Sequence, residues 1–439
     1  MHKKLGFWVL TSLVVGNMVG SGVFLLPASL AQYGSITIFS WIATAIGAVF
    51  LALVFATLSK LFPRTGGPYV YCKEGFGDFI GFQVAYNFWI CKWAGSAAIA
   101  TALTGYLSAF FPILEENNVA AFFLTAGMVW FFSLVNIVGI HLAGGFQLTL
   151  TILKYIPLIL ATVIGLFYID LENLSYFNVS GKSNFSALSS GAMLTLWAFL
   201  GLESASIPAD DVVNPEKTIP RATIIGTLLA AVVYIFSTVS IMGVVPMPEL
   251  RESAAPFADF AGKLFGPWGM YAMGGVAVIS CAGALNGWIL VQGQIPFAAA
   301  RDKLFPKVFG KMTEKRSPVN AIIISSVLIT FLLMFNLHKN LVDQFTIIIS
   351  LATLAGIIAF LYTSVAEFVI YIKYPEKMQR KKVVKTLTVS GLAFIYTFWA
   401  TASAGQEVVF YGSLLLFSSI PIYGWMQWQK YRKSVLKNG

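Results

Sequence analysis

Gly16-Asn17-Met18-Val19-Gly20-Ser21-Gly22 stands at the centre of an otherwise apolar run from Leu5 to Ala31. A run of that length reads as a membrane-crossing helix, and a helix in hydrocarbon has to satisfy its own backbone groups. Glycines at mid-depth therefore point either to close packing through small residues or to a broken helix beside a cavity or ligand. In a broken helix the freed N–H groups at a half-helix start suit a carboxylate, and the freed carbonyls suit an ammonium. An amino acid carries both groups, so small-molecule transport is the first functional reading.

Composition sets the class around this stretch. Of 439 residues, 57% are hydrophobic and 11% charged, against about 25% charged in soluble domains. The chain therefore reads as an all-α polytopic membrane protein forming a single transmembrane domain over 1–439. Lys3 and Lys4 before an apolar run, with Ser29-Leu30-Ala31 after it, resemble a signal peptide, but the run is too long and too glycine-broken for one. Cys72, Cys91 and Cys281 are odd in number and have no metal-ligand spacing, so neither a disulfide framework nor a metal site is expected.

Apolar runs and polar breaks predict twelve spans at 6–31, 35–61, 79–111, 119–141, 145–169, 187–209, 219–245, 267–297, 318–337, 343–372, 385–404 and 407–429. With an even number of spans, both termini lie on one side. That side carries 23 Lys/Arg, in the N-terminal tail, the loops after spans 2, 6, 8 and 10, and the C-terminus. The other side has only Lys182, Arg251, Lys263 and Lys339. The positive-inside rule makes both termini cytoplasmic, as in a bacterial cytoplasmic (inner) membrane protein. The net charge of +10 then reports topology and contact with anionic lipid, and gives no reason to expect nucleic acid as a partner.

Span 6 repeats the anomaly of span 1. Trp197-Ala198-Phe199-Leu200-Gly201-Leu202-Glu203-Ser204-Ala205-Ser206 is again broken by glycine, and here a carboxylate lies inside the apolar span. Five spans apart, the two breaks cross in opposite directions, as two inverted halves require, and paired breaks point to a transporter's central site. A channel or a membrane sensor is the remaining reading. A membrane-embedded enzyme would need a catalytic cluster, and no nucleophile triad or phosphate loop is present; His2, His141 and His338 all fall near predicted span ends or loops.

Several residues are candidates for chemistry. Gly20, Ser21 and Gly22 can offer backbone N–H groups to a carboxylate, while carbonyls near Met18, Trp197 and Leu200 can receive an ammonium. Glu203 is either a proton-loading carboxylate or a hydrogen-bonded lock on the broken helix. Lys154, in span 5, either stands where a coupling ion would sit or pairs with a carbonyl near the first break. Lys92, in span 3, is too deep to snorkel and is expected to face a cavity. Glu367 lies near the cytoplasmic end of span 10 and reads as interfacial. Trp288 is either packing or a face for a substrate cation or apolar group, and Tyr86, Trp89 and Trp93 are gating, core or interface aromatics.

These stretches, together with Gly66-Gly67-Pro68-Tyr69, Tyr106-Leu107-Ser108-Ala109-Phe110-Phe111-Pro112, Val213-Asn214-Pro215 and Gly287-Trp288-Ile289-Leu290-Val291-Gln292-Gly293-Gln294, resemble the amino acid–polyamine–organocation superfamily. The likeness covers nearly the whole chain and is strongest to the arginine/agmatine and lysine/cadaverine antiporters. It implies a five-plus-five inverted repeat, about 6–169 and 187–372, with two peripheral helices about 385–429, and no cofactor. It implies that Ser21 and Gly22 hold a substrate carboxylate, that carbonyls at Met18, Trp197 and Leu200 hold its α-ammonium, and that Trp288 stacks on a distal cation. Glu203 becomes the proton-sensitive or gating carboxylate, with Tyr86 and Phe360 as gate-side aromatics. Lys154 resembles the span-5 lysine of proton-coupled, sodium-independent relatives.

The distal pocket departs from the arginine pattern. Ser96 stands where an arginine exchanger presents an asparagine, Ala352 replaces a serine, and Lys92 falls beside them. An ammonium 4 Å from a cationic head group costs about 1–4 kcal/mol at effective dielectrics of 80 to 20. The expected function is exchange of a basic, arginine-like amino acid for an amine or another amino acid by alternating access. The alternative is proton-coupled uptake of a neutral or weakly polar amino acid. Expected partners are that substrate, protons, lipid and a second copy of the chain.

Overall fold

The structure, a computed structural model, describes residues 5–64, 66–138, 144–207, 209, 212–312, 317–374 and 383–438. His2, His141 and the end of the predicted fourth span lie outside them. Among the described residues the chain is helical throughout. The first apolar run forms α1 (Phe7–Met18) and α2 (Ser21–Ala31), interrupted at Val19 and Gly20, and α3 (Thr37–Leu61) follows. Then come α4 (Pro68–Phe76), α5 (Asp78–Ser108), the single turn α6 (Ile113–Glu116), α7 (Asn118–Val138), α8 (Gly144–Gly165) and the short α9 (Leu171–Ser175). α10 (Asn184–Phe199) ends at the second break and continues as a 3₁₀ turn over Leu202–Ser206.

The remainder comprises α11 (Pro215–Val244), α12 (Met247–Glu252), α13 (Pro256–Phe265), α14 (Pro267–Arg301), α15 (Val319–Phe335), α16 (Leu341–Lys373), α17 (Val383–Ala402) and α18 (Gln406–Asn438). The predicted spans match these helices to within a few residues, except that α18 runs on past 429. Five short helices, α4, α6, α9, α12 and α13, lie in stretches read from sequence as loops. α4 follows a Gly67-Pro68 start, where proline at the first helical position costs no hydrogen bond.

Among the described residues, nine helical stretches are long and apolar enough to cross a membrane, counting each broken helix as one. α8 and α15 supply shorter apolar stretches at Lys154–Tyr168 and Val319–Phe335. The 31-residue α5 is about 45 Å long at the α-helical rise, and carries Gln83, Asn87 and Lys92 on a buried course. Large apolar side chains such as Phe123, Phe131, Val232 and Phe236 are more than half exposed. Exposed apolar surface of that extent suits hydrocarbon rather than water as solvent. This is a multi-pass membrane protein.

Packing centres on the two broken helices. α5 lies against α14 and α16, α1 against α8 and α11, and α10 against α3 and α2, while α17 and α18 sit outside on α16. Both breaks are thereby enclosed by protein, the condition under which irregular backbone survives at membrane depth.

Candidate functional site

Each break has a local cause and a built support. At the first, Val19 and Gly20 leave helical geometry, and Gly20 lies so close to Ala284 that a Cβ there would stand 3.0 Å from the alanine's own. Lys154 on α8 donates from Nζ to the carbonyls of Gly16 at 2.8 Å and Val19 at 2.5 Å. Of the two readings of Lys154 left open by the sequence, the carbonyl contact is what the geometry contains. At the second break Gly201 has φ +136°, a conformation that L side chains rarely adopt, and an added Cβ would press on the backbone of Asn17 at 3.1 Å. Asn17 also donates from Nδ2 to Ser204 Oγ at 2.9 Å, tying one break directly to the other.

Glu203 braces the second break from within. Its Oε2 accepts the Gly201 N–H at 2.9 Å, and its Oε1 accepts from Lys92 Nζ at 2.8 Å. Both side chains are almost wholly buried. The Lys92 ammonium also lies 4.1 Å from the centroid of the Trp288 ring and 4.7 Å from that of Phe88. The sequence alone offered Glu203 as a proton carrier or a lock; here it is an ion-paired carboxylate holding the turn. Lys92, expected to face a cavity, points into the protein and is neutralised there.

Between the breaks lies a small cavity bordered by Asn17, Met18, Gly20, Ser21, Gly22, Ile99, Trp197, Leu200 and Trp288. Its space is about 10 Å³, room for about one water molecule. The α2 N-terminus opens on it through Gly20, Ser21 and Gly22, and Ser21 Oγ is buried without a partner. Gly22 lies 3.1 Å, measured from an ideal Cβ, from the Ala198 backbone, so a side chain here would push the half-helices a few tenths of an ångström apart. The Met18 and Trp197 carbonyls accept from the N–H groups of Gly20 at 3.0 Å and Leu200 at 3.1 Å, and each keeps a second lone pair for a donor. A helix N-terminus facing such carbonyls is an anion site beside a cation site, with the chemistry to hold an α-carboxylate and an α-ammonium.

Of the predicted residues, the structure gathers Met18, Ser21, Gly22, Trp197, Leu200 and Trp288 around one cavity, with Lys92, Glu203 and Lys154 just behind its wall. Ser96, fully buried, lies 2.7 Å from Gln292 Oε1 and 2.9 Å from its own helix carbonyl at Lys92. Ala352 is buried one turn before Gly356, which meets Leu200 and Cys91. Tyr86 and Phe360 do not border the cavity. Tyr86 Oη bonds Ser418 Oγ at 2.9 Å and its ring packs with Phe82, Trp89 and Phe305, while Phe360 packs edge-on against Phe55 at 5.4 Å. Glu367, expected at the interface, is 1% exposed and accepts a hydrogen bond from Ser390 on α17.

Gly95 is the site residue that sequence reading missed. A Cβ at that position would lie 2.3 Å from Trp288 Cζ3 and 2.7 Å from Trp197 Cη2, so two indoles 5.3 Å apart meet over its bare backbone. The signal available was the small-residue run Gly95-Ser96-Ala97-Ala98 on an otherwise bulky helix.

Two broken helices closing on one amphoteric cavity find their match in known sequences. The model of the amino acid permease family matches residues 5–422. The chain belongs to that family. It is 33% identical to the putrescine transporter PotE of Haemophilus influenzae over 97% of this chain and 98% of the relative. It is also 33% identical to the cadaverine/lysine antiporter of Escherichia coli K12 over 83% of each chain, and 32% identical to the putrescine transporter PotE of that strain over 96% of each. The permease is therefore a transporter of the amino acid–polyamine–organocation superfamily, in the branch of the basic amino acid and polyamine antiporters, and not an enzyme.

The two ends of the permease differ. At the end carrying the basic loops, a cavity of about 700 Å³ is lined by Arg64, Tyr69, Ile207, Gln294, Arg301 and Asp302. At the other end Tyr106 Oη donates to the Phe24 carbonyl at 2.6 Å and accepts the Phe257 N–H at 3.2 Å, and Arg251 donates to Ala31 O at 3.1 Å. Those bonds tie α5, α12 and α13 over α2 and close that side.

Proposed function

We propose that the permease is a secondary active exchanger of amino acids or amines that works by alternating access in a bacterial cytoplasmic membrane. The observation that carries this is the single cavity shared by the N-terminus of α2 and the unwound end of α10. Ser21 and Gly22 would bind the substrate carboxylate, and the free lone pairs of the Met18, Trp197 and Leu200 carbonyls its α-ammonium. The nine long apolar stretches among the described residues, taken with α5, α8 and α15, support twelve spans, and the basic loops support cytoplasmic termini. The halves 6–169 and 187–372 then form inverted repeats, with α17 and α18 peripheral.

The basic-end cavity and the sealed opposite end support an inward-facing, nearly occluded state. Opening outward has to release the Tyr106, Phe257 and Arg251 bonds around α2, while α4 closes on α14 from below. Antiport is the mode named for one relative and is adopted for this chain.

Proteoliposomes test the reading. Vesicles loaded with unlabelled substrate should take up labelled substrate many-fold faster than empty ones across a panel of amino acids and amines. Uptake driven by a pH gradient into empty vesicles would replace exchange with proton symport. Tight binding without flux would replace transport with sensing.

A further inference from the structure

Trp288, on the cavity wall, backs onto a buried ion pair. Lys92 Nζ is salt-bridged to Glu203 at 2.8 Å and lies 4.1 Å from the Trp288 ring centroid. One turn along α5, Ser96 reaches Gln292 Oε1, and the Gln292 amide nitrogen is buried without a partner. A carboxylate and an aromatic face are what a pocket uses to bind a substrate's distal cation. Here a side chain of the protein uses both.

Resting on the transport reading above, we infer that Lys92 is a tethered internal cation in the distal subsite, and that the substrate is an α-amino acid with a short, uncharged side chain. Three features carry this. Lys92 and Glu203 cancel, so the subsite has no net charge to attract a base. A substrate cation brought there would meet an ammonium as well as a carboxylate, so the pair does not offset the cost of desolvating that cation. An acidic side chain would have to displace Glu203 and then face its carboxylate.

Space agrees with charge. The cavity beside Trp197 and Trp288 holds about 10 Å³, so every amino acid enters only if the indoles separate, and a short side chain asks for the smallest separation. The Gln292 amide, outside the cavity's lining and bonded through Oε1 to Ser96, keeps a buried donor without a partner. A diamine fails at the other end too, because it has no carboxylate for the α2 N-terminus. Lys92 is thus a specificity-determining residue: it acts by occupying the place of a substrate group.

Binding to the purified full-length permease tests this, using serine, threonine, alanine, arginine, lysine, putrescine and cadaverine as competing ligands. Wild type should bind the best uncharged amino acid at least fivefold more tightly than any cationic ligand. Lys92→Ala, with Glu203 now free, should raise the affinity for arginine or lysine relative to serine at least fivefold. Because that variant leaves a buried carboxylate unpaired, Lys92→Ala combined with Glu203→Gln gives a second reading: discrimination against cations should weaken although no attracting charge remains. The inference is overturned if wild type binds arginine or putrescine as tightly as any uncharged amino acid, or if both variants keep the wild-type ratio. Failure of wild type to bind any amino acid or amine would instead remove the transport reading, and this inference with it.

Discussion

Gly95→Ala adds one methyl group where the two indoles of the site meet. The new Cβ would lie 2.3 Å from Trp288 Cζ3 and 2.7 Å from Trp197 Cη2, against an ordinary carbon–carbon contact of about 3.5–4.0 Å. One ring must move by about 1 Å or more, and both are hemmed in: Trp197 by Gly22 and Trp288 by the Lys92 ammonium. Overpacking of this kind costs about 1–3 kcal/mol, and alanine returns about 0.5–1 kcal/mol because glycine is a poor helix residue. The net loss is at most about 2.5 kcal/mol, too little to unfold a chain of this size, but it falls on the cavity wall. Exchange in proteoliposomes should show KM raised by about tenfold, since 1.4 kcal/mol is a factor of ten and lies near the middle of this range, with only a modest drop in thermal stability. Gly127→Ala is the control, because a Cβ there meets nothing within 4 Å; it should leave exchange unchanged and stability equal or slightly raised. If Gly95→Ala transports with wild-type KM and unchanged melting, the tryptophan pair is not a wall of the substrate site.

Glu203→Gln should destabilise by about 3–5 kcal/mol, because it leaves the Lys92 ammonium buried and unpaired; adding Lys92→Met should recover most of that in unfolding measurements. Additive losses would show that the pair is not coupled. Lys154→Met removes the donor to the Gly16 and Val19 carbonyls, at about 1–3 kcal/mol each, offset by about 2.5–3.5 kcal/mol for taking a charge out of the membrane interior. Global stability should therefore change little, while amide exchange at Gly20–Gly22 accelerates and transport is lost; unchanged exchange there would mean that the break is held otherwise. In the α12–α13 segment, burial raises the Asp259 carboxyl above its ordinary range, with the Ser253 hydroxyl opposing. The folded state then binds that proton more tightly than the unfolded chain, so stability gains as pH falls through the raised value and levels off below the ordinary aspartate value. Asp259→Asn should flatten this part of the melting-temperature profile between pH 7 and pH 4, and an unaltered profile would assign the dependence elsewhere.

Much of the architecture was legible because its causes are local. Hydropathy located the apolar stretches, and Gly16–Gly22 and Gly201 marked where helical hydrogen bonding stops. The short helices α4, α6, α9 and α12 were missed because their sequences are mixed in polarity and too short for a periodic signal, and α13 because its amphipathic ten residues are too few to span. In the site, the backbone-reading residues came directly from the breaks, since a break exposes the groups next to it in sequence. Tyr86 and Phe360 could not be placed in that way. Each was assigned by resemblance to a place on a helix, and its contacts, with Ser418 on α18 and Phe55 on α3, depend on how that helix is rotated. Glu367 was placed at the interface by its distance from the helix end, while α17 covers it.

The amino-acid sequence by itself determined that this chain lives in a membrane, where its helices run, and that two of them break at mid-depth. Burial of apolar side chains and the backbone freedom of glycine act over a few residues, so neighbours in sequence suffice to read them. Only the tertiary structure decided what each break is made of. Lys92 meets Glu203 across 111 positions and Lys154 meets Gly16 across 138, while Gly95 holds Trp197 and Trp288 together. Each residue turns a helix face by about 100°, so such meetings depend on the rotation and axial register of whole helices. Packing fixes those quantities, and with them the chemistry of the side-chain subsite.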